Sequence, residues 1–331
     1  MSFEESADVR HRTRSGLWPY VELARVDYWF KNIFMVLGVV LAMFYEPTIL
    51  QWPLVPRLVL ALLATCLVAS SNYVLNELLD APTDSLHPQK RHRPAASGRI
   101  NRSIAYLEWI GLALAGLLLA ARIAPAFAVS ALALWLMGIL YNVPPVRTKE
   151  VPYLDVLTEA VNNPIRLLLG WFALVERTVP PASLLIAYWM AGAFFMAVKR
   201  YAEFRHLADP TVAAAYRRSF AYYTEDRLLV SIVFYATACA LFAGIFIVRY
   251  HLELILLTPL AAGLFAQYLK LGLMPDSPAQ HPERLYKSRS FVIYVVVCAV
   301  AFVGLMFIEI PALYDWFNVD PSANPRLWKI Q

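Results

Sequence analysis

Apolar runs long enough to cross a lipid bilayer recur along almost the whole of this sequence. A membrane-spanning helix needs about 20 consecutive, mostly apolar residues, and windows of that length predict nine transmembrane helices. The predicted helices cover residues 28–46, 56–77, 103–121, 124–142, 155–175, 181–200, 227–248, 252–271 and 289–311. A short turn separates the third from the fourth, so these two are expected to form an antiparallel hairpin.

The composition agrees with a polytopic membrane protein. Of the 331 residues, 60% are hydrophobic and 16% are charged, whereas soluble domains contain about 45–50% apolar and about 25% charged residues. Cys66, Cys239 and Cys298 lie inside apolar runs without disulfide or metal-ligand spacing, and we interpret them as small apolar side chains. The polar N-terminal residues lack the apolar stretch of a cleavable signal peptide. The composition therefore excludes a soluble enzyme and predicts an all-α integral membrane protein.

The positive charges are unevenly divided between alternate loops. Of the 29 Lys and Arg residues, 22 fall on one side of the predicted topology, six on the other, and Arg166 within a span. Because cytoplasmic loops carry the Lys/Arg excess, we expect the N-terminus in the cytoplasm, the C-terminus outside, and a bacterial inner membrane location. The net charge of +5 then needs no nucleic-acid partner. The predicted organisation is a polar cytoplasmic segment (1–27), a nine-helix domain (28–311) and an external tail (312–331).

Three oxygen-bearing side chains follow one another at four-residue spacing where the second predicted span ends. Asn76, Asp80 and Asp84 share one face if the helix continues, although Pro82 predicts a kink or an end between the two aspartates. Mg²⁺ prefers oxygen ligands and combines one or two carboxylates with substrate phosphates. We therefore expect these three residues to bind Mg²⁺ at the end of the site that faces the cytoplasm.

Basic residues follow this acidic cluster directly. They are expected to contact the phosphate oxygens that the metal does not cover: His87, Lys90, Arg91 and Arg93. The alternative is a solvated helix end followed by basic residues that only set the topology.

The acidic cluster resembles the first aspartate-rich motif of the UbiA superfamily of intramembrane prenyltransferases, with Glu77 in place of the usual aspartate. The string from Asp84 to Pro94 is similar to the branch that contains decaprenyl-phosphate phosphoribosyltransferase, and residues 141–170 are similar to the family's fourth loop and fifth helix. The resemblance implies nine helices around a central cavity. It also implies that this cavity opens to the cytoplasm for the polar substrate and laterally to lipid for the polyprenyl chain.

The second polar cluster departs from the pattern of the superfamily. Most members have a second aspartate-rich motif after the sixth helix, whereas this chain has Lys199 and Arg200, with Tyr201 and Glu203 beside them. One acidic and one cationic cluster suit a substrate with two separate anionic ends, such as 5-phosphoribosyl diphosphate (PRPP). The alternative is a pair of cations that snorkel at a helix end. Four later residues also resemble the phosphoribosyltransferase branch: Tyr216, Arg217, Tyr223 and Thr224.

Polar residues within the predicted spans are further candidates. Charged side chains in a membrane are costly unless they face a cavity or a partner, so we expect Lys31, Asn32 and Arg166 to contact substrate. Lys31 and Asn32 resemble the family's Lys-Asn pair at the cavity rim, although snorkelling of Lys31 is an equal alternative. Glu159 is an alternative structural partner for Arg166. Asp155 is expected to cap the N-terminus of the fifth helix.

The predicted reaction is glycosyl transfer. A polyprenyl phosphate, of the decaprenyl type that the resemblance implies, attacks C1 of PRPP and diphosphate leaves, with Mg²⁺ as cofactor. One alternative is prenyl transfer from a prenyl diphosphate to an aromatic acceptor, the commoner activity of the superfamily. Another is a membrane protein that binds or transports a lipid phosphate without catalysis. The sequence does not assign the 5-phosphate and the lipid phosphate to particular basic loops, and it does not give an oligomeric state.

Overall fold

A computed structural model of the protein describes residues 16–49, 54–85, 90–207, 217–275, 277–280, 285, 288–320 and 327–330. Within these ranges the chain forms twelve α-helices: α1 (Trp18–Leu23), α2 (Met35–Tyr45), α3 (Leu54–Asp84), α4 (Arg102–Ala121), α5 (Pro125–Asn142), α6 (Leu154–Ala160), α7 (Asn162–Phe172), α8 (Ala182–Leu207), α9 (Glu225–Tyr250), α10 (Thr258–Gly272), α11 (Arg289–Met306) and α12 (Pro311–Trp316).

Short elements join these helices. Six 3-10 helices are described: Val26–Phe34, Pro47–Ile49, Thr148–Glu150, Arg218–Ala221, Leu252–Leu257 and Pro278–Gln280. Two strands of two residues, β1 (Thr178–Val179) and β2 (Trp328–Lys329), pair antiparallel. Thr178 lies opposite Lys329, and Val179 lies opposite Trp328.

Eight helical segments of the described residues are long and apolar enough to cross a membrane. They are α3, α4, α5, α8, α9, α11 and the two continuous segments Trp18–Tyr45 and Leu252–Gly272. The predicted hairpin corresponds to α4 and α5, which are separated by three residues and pack against each other. The multi-pass helical architecture is thus confirmed.

The fifth predicted span is not one continuous helix. Residues 155–175 contain α6 and α7, which are separated at Val161, and neither is long enough to span a membrane alone. Pro164 has no N–H with which to pair the carbonyl of Ala160, so the hydrogen-bond ladder is interrupted at this place. The structure therefore has a broken helix where an uninterrupted span was predicted.

The end of α3 also differs from the prediction. Pro82 does not end the helix, because α3 continues through it to Asp84. The Thr83 hydroxyl donates a hydrogen bond to the Asp80 carbonyl over 2.9 Å in this last turn. As a result, Asn76, Asp80 and Asp84 remain on one helix at four-residue spacing.

Close helix packing supports the apolar centre of the bundle. A Cβ atom on Gly38 of α2 would lie 2.0 Å from the Leu167 carbonyl oxygen of α7, and one on Gly170 would lie 2.0 Å from the Met35 carbonyl oxygen. Glycine is required at both positions because any side chain would overlap backbone atoms. A second apolar core lies between α6, α8, α9 and α10. We call the end of the bundle where α3, α5 and α8 finish, and α4, α6 and α9 begin, the site end.

Candidate active site

Asp80 accepts hydrogen bonds from its own helix and from the segment after α5 at the site end. Its Oδ1 accepts hydrogen bonds from Lys149 Nζ at 2.5 Å and from Arg147 Nη2 at 3.1 Å. Its Oδ2 accepts from Asn76 Nδ2 at 3.1 Å. Asn142 Oδ1 completes the group by accepting from Asn76 Nδ2 at 2.6 Å and from Lys149 Nζ at 2.9 Å. The segment after α5 therefore belongs to the same site as the end of α3.

Arg147, Lys149 and Asn142 were not among the predicted site residues. The string that contains them resembles the family's fourth loop, and that resemblance was the available signal. Arg147 adopts a left-handed backbone conformation, with φ at 30°, which turns the chain directly after α5. The 3-10 helix that follows brings Lys149 back toward α3, where its side chain is buried.

Asp84 accepts a hydrogen bond from Arg93 Nη1 at 2.6 Å, and Lys90 Nζ lies 4.0 Å from its other oxygen. These two contacts agree with the predicted cluster of acidic and basic residues. Arg91 is exposed and donates to His92 instead. The structure therefore brings two of the predicted cations to the carboxylates, whereas His87 lies outside the described residues.

Glu77 contacts the N-terminal segment and the loop after α3. Its Oε1 accepts a hydrogen bond from the N–H of Ala95 at 3.2 Å, and its Oε2 lies 3.6 Å from Arg25 Nε. The side chain is buried. Glu77 therefore attaches both the N-terminal segment and the loop after α3 to the end of that helix.

Asn32 and Arg166, predicted from separate spans, meet in the structure. Asn32 Oδ1 accepts from Arg166 Nε at 3.0 Å, and Asn32 Nδ2 donates to Cys66 Sγ at 3.1 Å. Arg166 also donates to the Asn162 carbonyl. The ion pairs of the described residues do not include Arg166, so the alternative that Glu159 neutralises it is wrong. Glu159 pairs with another arginine, described below.

Lys31 lies at the edge of this group. Its Nζ is 4.0 Å from the centre of the Tyr28 ring, a distance at which a cation is attracted to the face of an aromatic ring. Arg25 lies 4.6 Å from the centre of the same ring. The predicted rim residue is therefore held by an aromatic contact in the N-terminal segment.

Arg200 directs all of its side-chain nitrogens to carboxylates of the protein. Nε donates to Asp155 Oδ2 at 3.1 Å, Nη1 donates to Glu203 Oε2 at 2.9 Å, and Nη2 donates to Glu159 Oε2 at 2.9 Å. The side chain is 2% exposed. Such a buried cation is stabilised by pairing, and here the protein itself supplies every partner.

The neighbours of Arg200 are also engaged within the protein. Lys199 Nζ lies 3.8 Å from Glu203 Oε1, one helical turn away. Tyr201 is buried in the second apolar core, and its hydroxyl donates to Glu225 Oε2 at 3.3 Å. Of the four residues predicted to contact substrate from α8, Arg200 and Tyr201 thus join α8 to other helices, whereas Lys199 and Glu203 pair with each other.

Asp155 does not cap the fifth helix, and that prediction is wrong. Tyr153 occupies the N-cap of α6 without a capping hydrogen bond from its side chain. Asp155 is fully buried and accepts hydrogen bonds from Tyr223 at 2.6 Å, from Arg217 Nη1 at 3.3 Å and from Ser219 at 3.3 Å. It also accepts the Arg200 bond, so one carboxylate joins α6, α8 and the segment before α9.

The two polar clusters share one electrostatic environment. Burial lowers the pKa of Lys90 below its ordinary value, and Arg217 lowers it further, while Asp84 raises it. Burial likewise lowers the pKa of Lys149, with Arg217 again lowering it and Asp80 raising it. A direct contact joins the loops after α5 and α8 at the site end, where Arg218 Nη1 lies 3.5 Å from Glu150 Oε2.

A family model described as the UbiA prenyltransferase family matches residues 33–292 of the chain. The chain belongs to this family. Among its relatives is the decaprenyl-phosphate phosphoribosyltransferase of Mycolicibacterium smegmatis, 28% identical over 235 residues that cover 70% of each chain. Nodulation protein NoeC of Azorhizobium caulinodans is 31% identical over 215 residues, or 65% of this chain and 66% of that protein.

Solved structures of UbiA homologues have the same fold. A UbiA homologue from Archaeoglobus fulgidus, bound to GPP and Mg²⁺, superposes with a TM-score of 0.66 at 19% identity and covers 90% of this chain and 99% of that one. At this identity the likeness concerns the fold alone. The membership identifies the chain as a multi-pass membrane protein of a transferase family.

The oxygen donors at the end of α3 fit a magnesium ion that also binds substrate. Asp80 and Asp84 supply two carboxylates one helical turn apart, and Asn76 is hydrogen bonded to the first. In the part of the chain that the structure describes, no three His, Cys, Asp or Glu side chains gather as metal ligands. Mg²⁺ typically binds one or two carboxylates, waters and substrate phosphates, so two carboxylates are sufficient.

Proposed function

We propose that this protein transfers the 5-phosphoribosyl group of PRPP to a polyprenyl phosphate of the decaprenyl type and releases diphosphate. One observation carries the proposal: cations from two loops contact the acidic motif, and a buried arginine cluster stands where the resemblance implies a second acidic motif. A donor with two anionic ends suits this arrangement better than a prenyl diphosphate with one. The similarity to decaprenyl-phosphate phosphoribosyltransferases supports the same reaction.

The diphosphate of the donor is assigned to the end of α3. Asp80, Asp84 and Asn76 would hold Mg²⁺, which when bound neutralises charge on the leaving diphosphate. The four described cations that contact the two aspartates would donate to phosphate oxygens: Lys90, Arg93, Arg147 and Lys149. Arg147 also pairs with Glu150, so four cations face three carboxylates, and this excess of positive charge favours a bound anion.

The phosphate of the polyprenyl acceptor is assigned to Arg166. Its described hydrogen bonds go to an amide and a backbone carbonyl, so its positive charge is matched by no carboxylate there. An intramembrane arginine in this setting favours an anionic ligand that arrives through the membrane. Asn32 orients the guanidinium, and Lys31 stands nearby in sequence. The acceptor oxygen is already an anion, so the reaction requires no strong general base.

The remaining predicted residues receive supporting roles in this proposal. Lys199, Arg200, Tyr201 and Glu203 maintain the packing of α8 at the site end, and Arg91 adds positive charge at the surface. The Lys/Arg asymmetry of the sequence supports a site at the cytoplasmic face of a bacterial inner membrane.

A purified, detergent-solubilised sample tests the proposal. The reaction contains Mg²⁺, PRPP labelled in the ribose, and a polyprenyl phosphate. We measure the label that enters the lipid phase and the diphosphate that is released. A parallel reaction offers a prenyl diphosphate and 4-hydroxybenzoate. We expect lipid label in the first reaction, its loss in Asp80→Asn, and its retention in Asp226→Asn, which changes an exposed carboxylate at the start of α9.

Two results would contradict the proposed function and support a different one. Product in the parallel reaction alone would identify an aromatic prenyltransferase. Binding of PRPP or lipid phosphate without product in either reaction would identify a non-catalytic binder or transporter.

A further inference from the structure

Arg200 and Arg217 both donate to Asp155, but they differ in how many of their side-chain nitrogens have a hydrogen-bond acceptor within the protein. Each side-chain nitrogen of Arg200 donates to a carboxylate. Arg217 uses Nη1 alone, toward Asp155 Oδ2, and its side chain is 22% exposed. Among the described residues, no acceptor contacts Nε or Nη2 of Arg217. Arg200 is therefore a structural cation, whereas one edge of the Arg217 guanidinium has no acceptor among the described residues.

The geometry of that edge suits a phosphate. Nε and Nη2 lie side by side on the guanidinium plane, and such a pair of N–H groups matches two oxygens of a phosphate. The opposite nitrogen is held by Asp155, whose own position is fixed by Tyr223 and Ser219. The orientation of Arg217 is thus set before a ligand arrives, which reduces the entropic cost of binding.

Arg217 also lies close to the acidic motif. The next residue, Arg218, lies with Nη1 3.5 Å from Glu150 Oε2, and Glu150 directly follows Lys149, which contacts Asp80. A ligand with one phosphate group at the aspartates therefore has Arg217 within the same site for its second anionic end.

We propose that Arg217, oriented by Asp155, binds the 5-phosphate of PRPP while the cluster around Asp80 and Asp84 binds its diphosphate. This assignment rests on the proposed function and extends it. Arg217 is then the residue that favours a donor with a second phosphate over a prenyl diphosphate, which has none. Asp155 is a positioning residue, because it would reach the 5-phosphate only through Arg217, while its bonds to Arg200, Tyr223 and Ser219 are structural.

Two product-like inhibitors separate the two phosphate positions. Ribose 5-phosphate probes the position assigned to Arg217, and inorganic diphosphate probes the position at the aspartates. We expect Arg217→Gln to raise the KM for PRPP and the Ki of ribose 5-phosphate about 10- to 100-fold, the usual effect of losing hydrogen bonds to a charged group. The KM for polyprenyl phosphate and the Ki of diphosphate stay unchanged.

The matched control is Arg218→Gln, the neighbouring arginine. Its side chain is 83% exposed and lies 3.5 Å from Glu150, and we expect this variant to change none of the four constants. An unchanged Ki of ribose 5-phosphate in Arg217→Gln overturns the assignment. An equal rise in the Ki of both inhibitors also overturns it, because the residue would then act on the whole site.

Two further variants keep the test decisive if Arg217→Gln is poorly folded. Arg217→Lys retains the charge but not the paired N–H groups, so it should recover part of the affinity for ribose 5-phosphate. Asp155→Asn should weaken ribose 5-phosphate and leave diphosphate inhibition intact. Wild-type protein that fails to release diphosphate from PRPP refutes the proposed function, whereas active wild-type with unaffected variants refutes only the role of Arg217.

Discussion

Lys149 Nζ donates hydrogen bonds to Asp80 Oδ1 and to Asn142 Oδ1, and so joins the loop after α5 to the end of α3. The ammonium group thereby occupies an oxygen-lined position beside a carboxylate that we assign to Mg²⁺. A metal ion that binds Asp80 must compete with this lysine. In the substrate complex, the lysine has phosphate oxygens as alternative partners.

Replacing the lysine should therefore strengthen metal binding to the substrate-free protein. We expect Lys149→Met to lower the Kd for Mn²⁺ about tenfold, since a charge-assisted hydrogen bond no longer competes for Asp80, and to reduce turnover. Electron paramagnetic resonance of free Mn²⁺ measures the Kd without substrate. Lys270→Met, which alters an exposed lysine near the end of α10, is the control. A Kd equal to that of wild-type in Lys149→Met contradicts the competition.

A substitution of Asn32 tests whether Arg166 binds the phosphate of the polyprenyl acceptor. Its effect on the KM for this lipid can be separated from an effect on folding. Asn32→Asp places a carboxylate beside Arg166, so the guanidinium gains an internal partner and loses affinity for a lipid phosphate. We expect the KM for polyprenyl phosphate to rise about tenfold or more, with the KM for PRPP and the melting temperature maintained. Arg122→Gln, an exposed change at the opposite end of the bundle, should leave both constants at wild-type values. A rise in the KM for PRPP alone would reject the assignment.

Glu77→Asp would restore the aspartate that is usual in the family's motif, yet we expect it to destabilise this protein. The shorter side chain cannot maintain the bonds to both Ala95 and Arg25, and the loss is about 1 kcal/mol in the free energy of unfolding. Thermal unfolding in detergent measures the change. Glu225→Asp, with its side chain 54% exposed, is the control and should have a smaller effect. Increased turnover in Glu77→Asp would instead place this residue at the metal.

The packing of α2 against α7 predicts opposite effects of two glycine substitutions. Gly170→Ala forces a Cβ atom into the Met35 carbonyl oxygen, and we expect a loss of about 2 kcal/mol or more in unfolding free energy. Gly244→Ala meets no atom within 4 Å and should stabilise α9 by up to about 1 kcal/mol, because alanine has the higher helix propensity. Equal melting temperatures for the two variants would show that the close helix approach does not exist.

The sequence predicted those features that depend on local periodicity. The hairpin of α4 and α5 follows from two apolar runs and a short turn, and Asp80 and Asp84 follow from four-residue spacing. The break at Val161 was missed because an apolar window averages over the Asn-Asn-Pro string at residues 162–164, whereas the helix responds to the single missing N–H.

Contacts between residues far apart in the sequence cannot be predicted from local periodicity. Lys149 lies 69 residues from Asp80 along the chain, and neither periodicity nor residue type indicates that they meet. Asp155 appeared as a cap because capping is a local property, yet its partners Arg200 and Tyr223 are 45 and 68 residues away. Arg217 was noticed only as part of a resemblance, since its distinction from Arg200 depends on how many carboxylates each one reaches.

The two arginines that we assign to substrate phosphates are supported from opposite sides of the break between α6 and α7. Arg217 is attached through Asp155 to α6, which packs on α8, whereas Arg166 belongs to α7, which is locked against α2 by paired glycines. Both helices nevertheless contact α8, where Gly192 faces Ala160 of α6 and Asn163 of α7. The distance between the donor and acceptor phosphates in the proposed complex would therefore be set by how these two short helices pack on one long one.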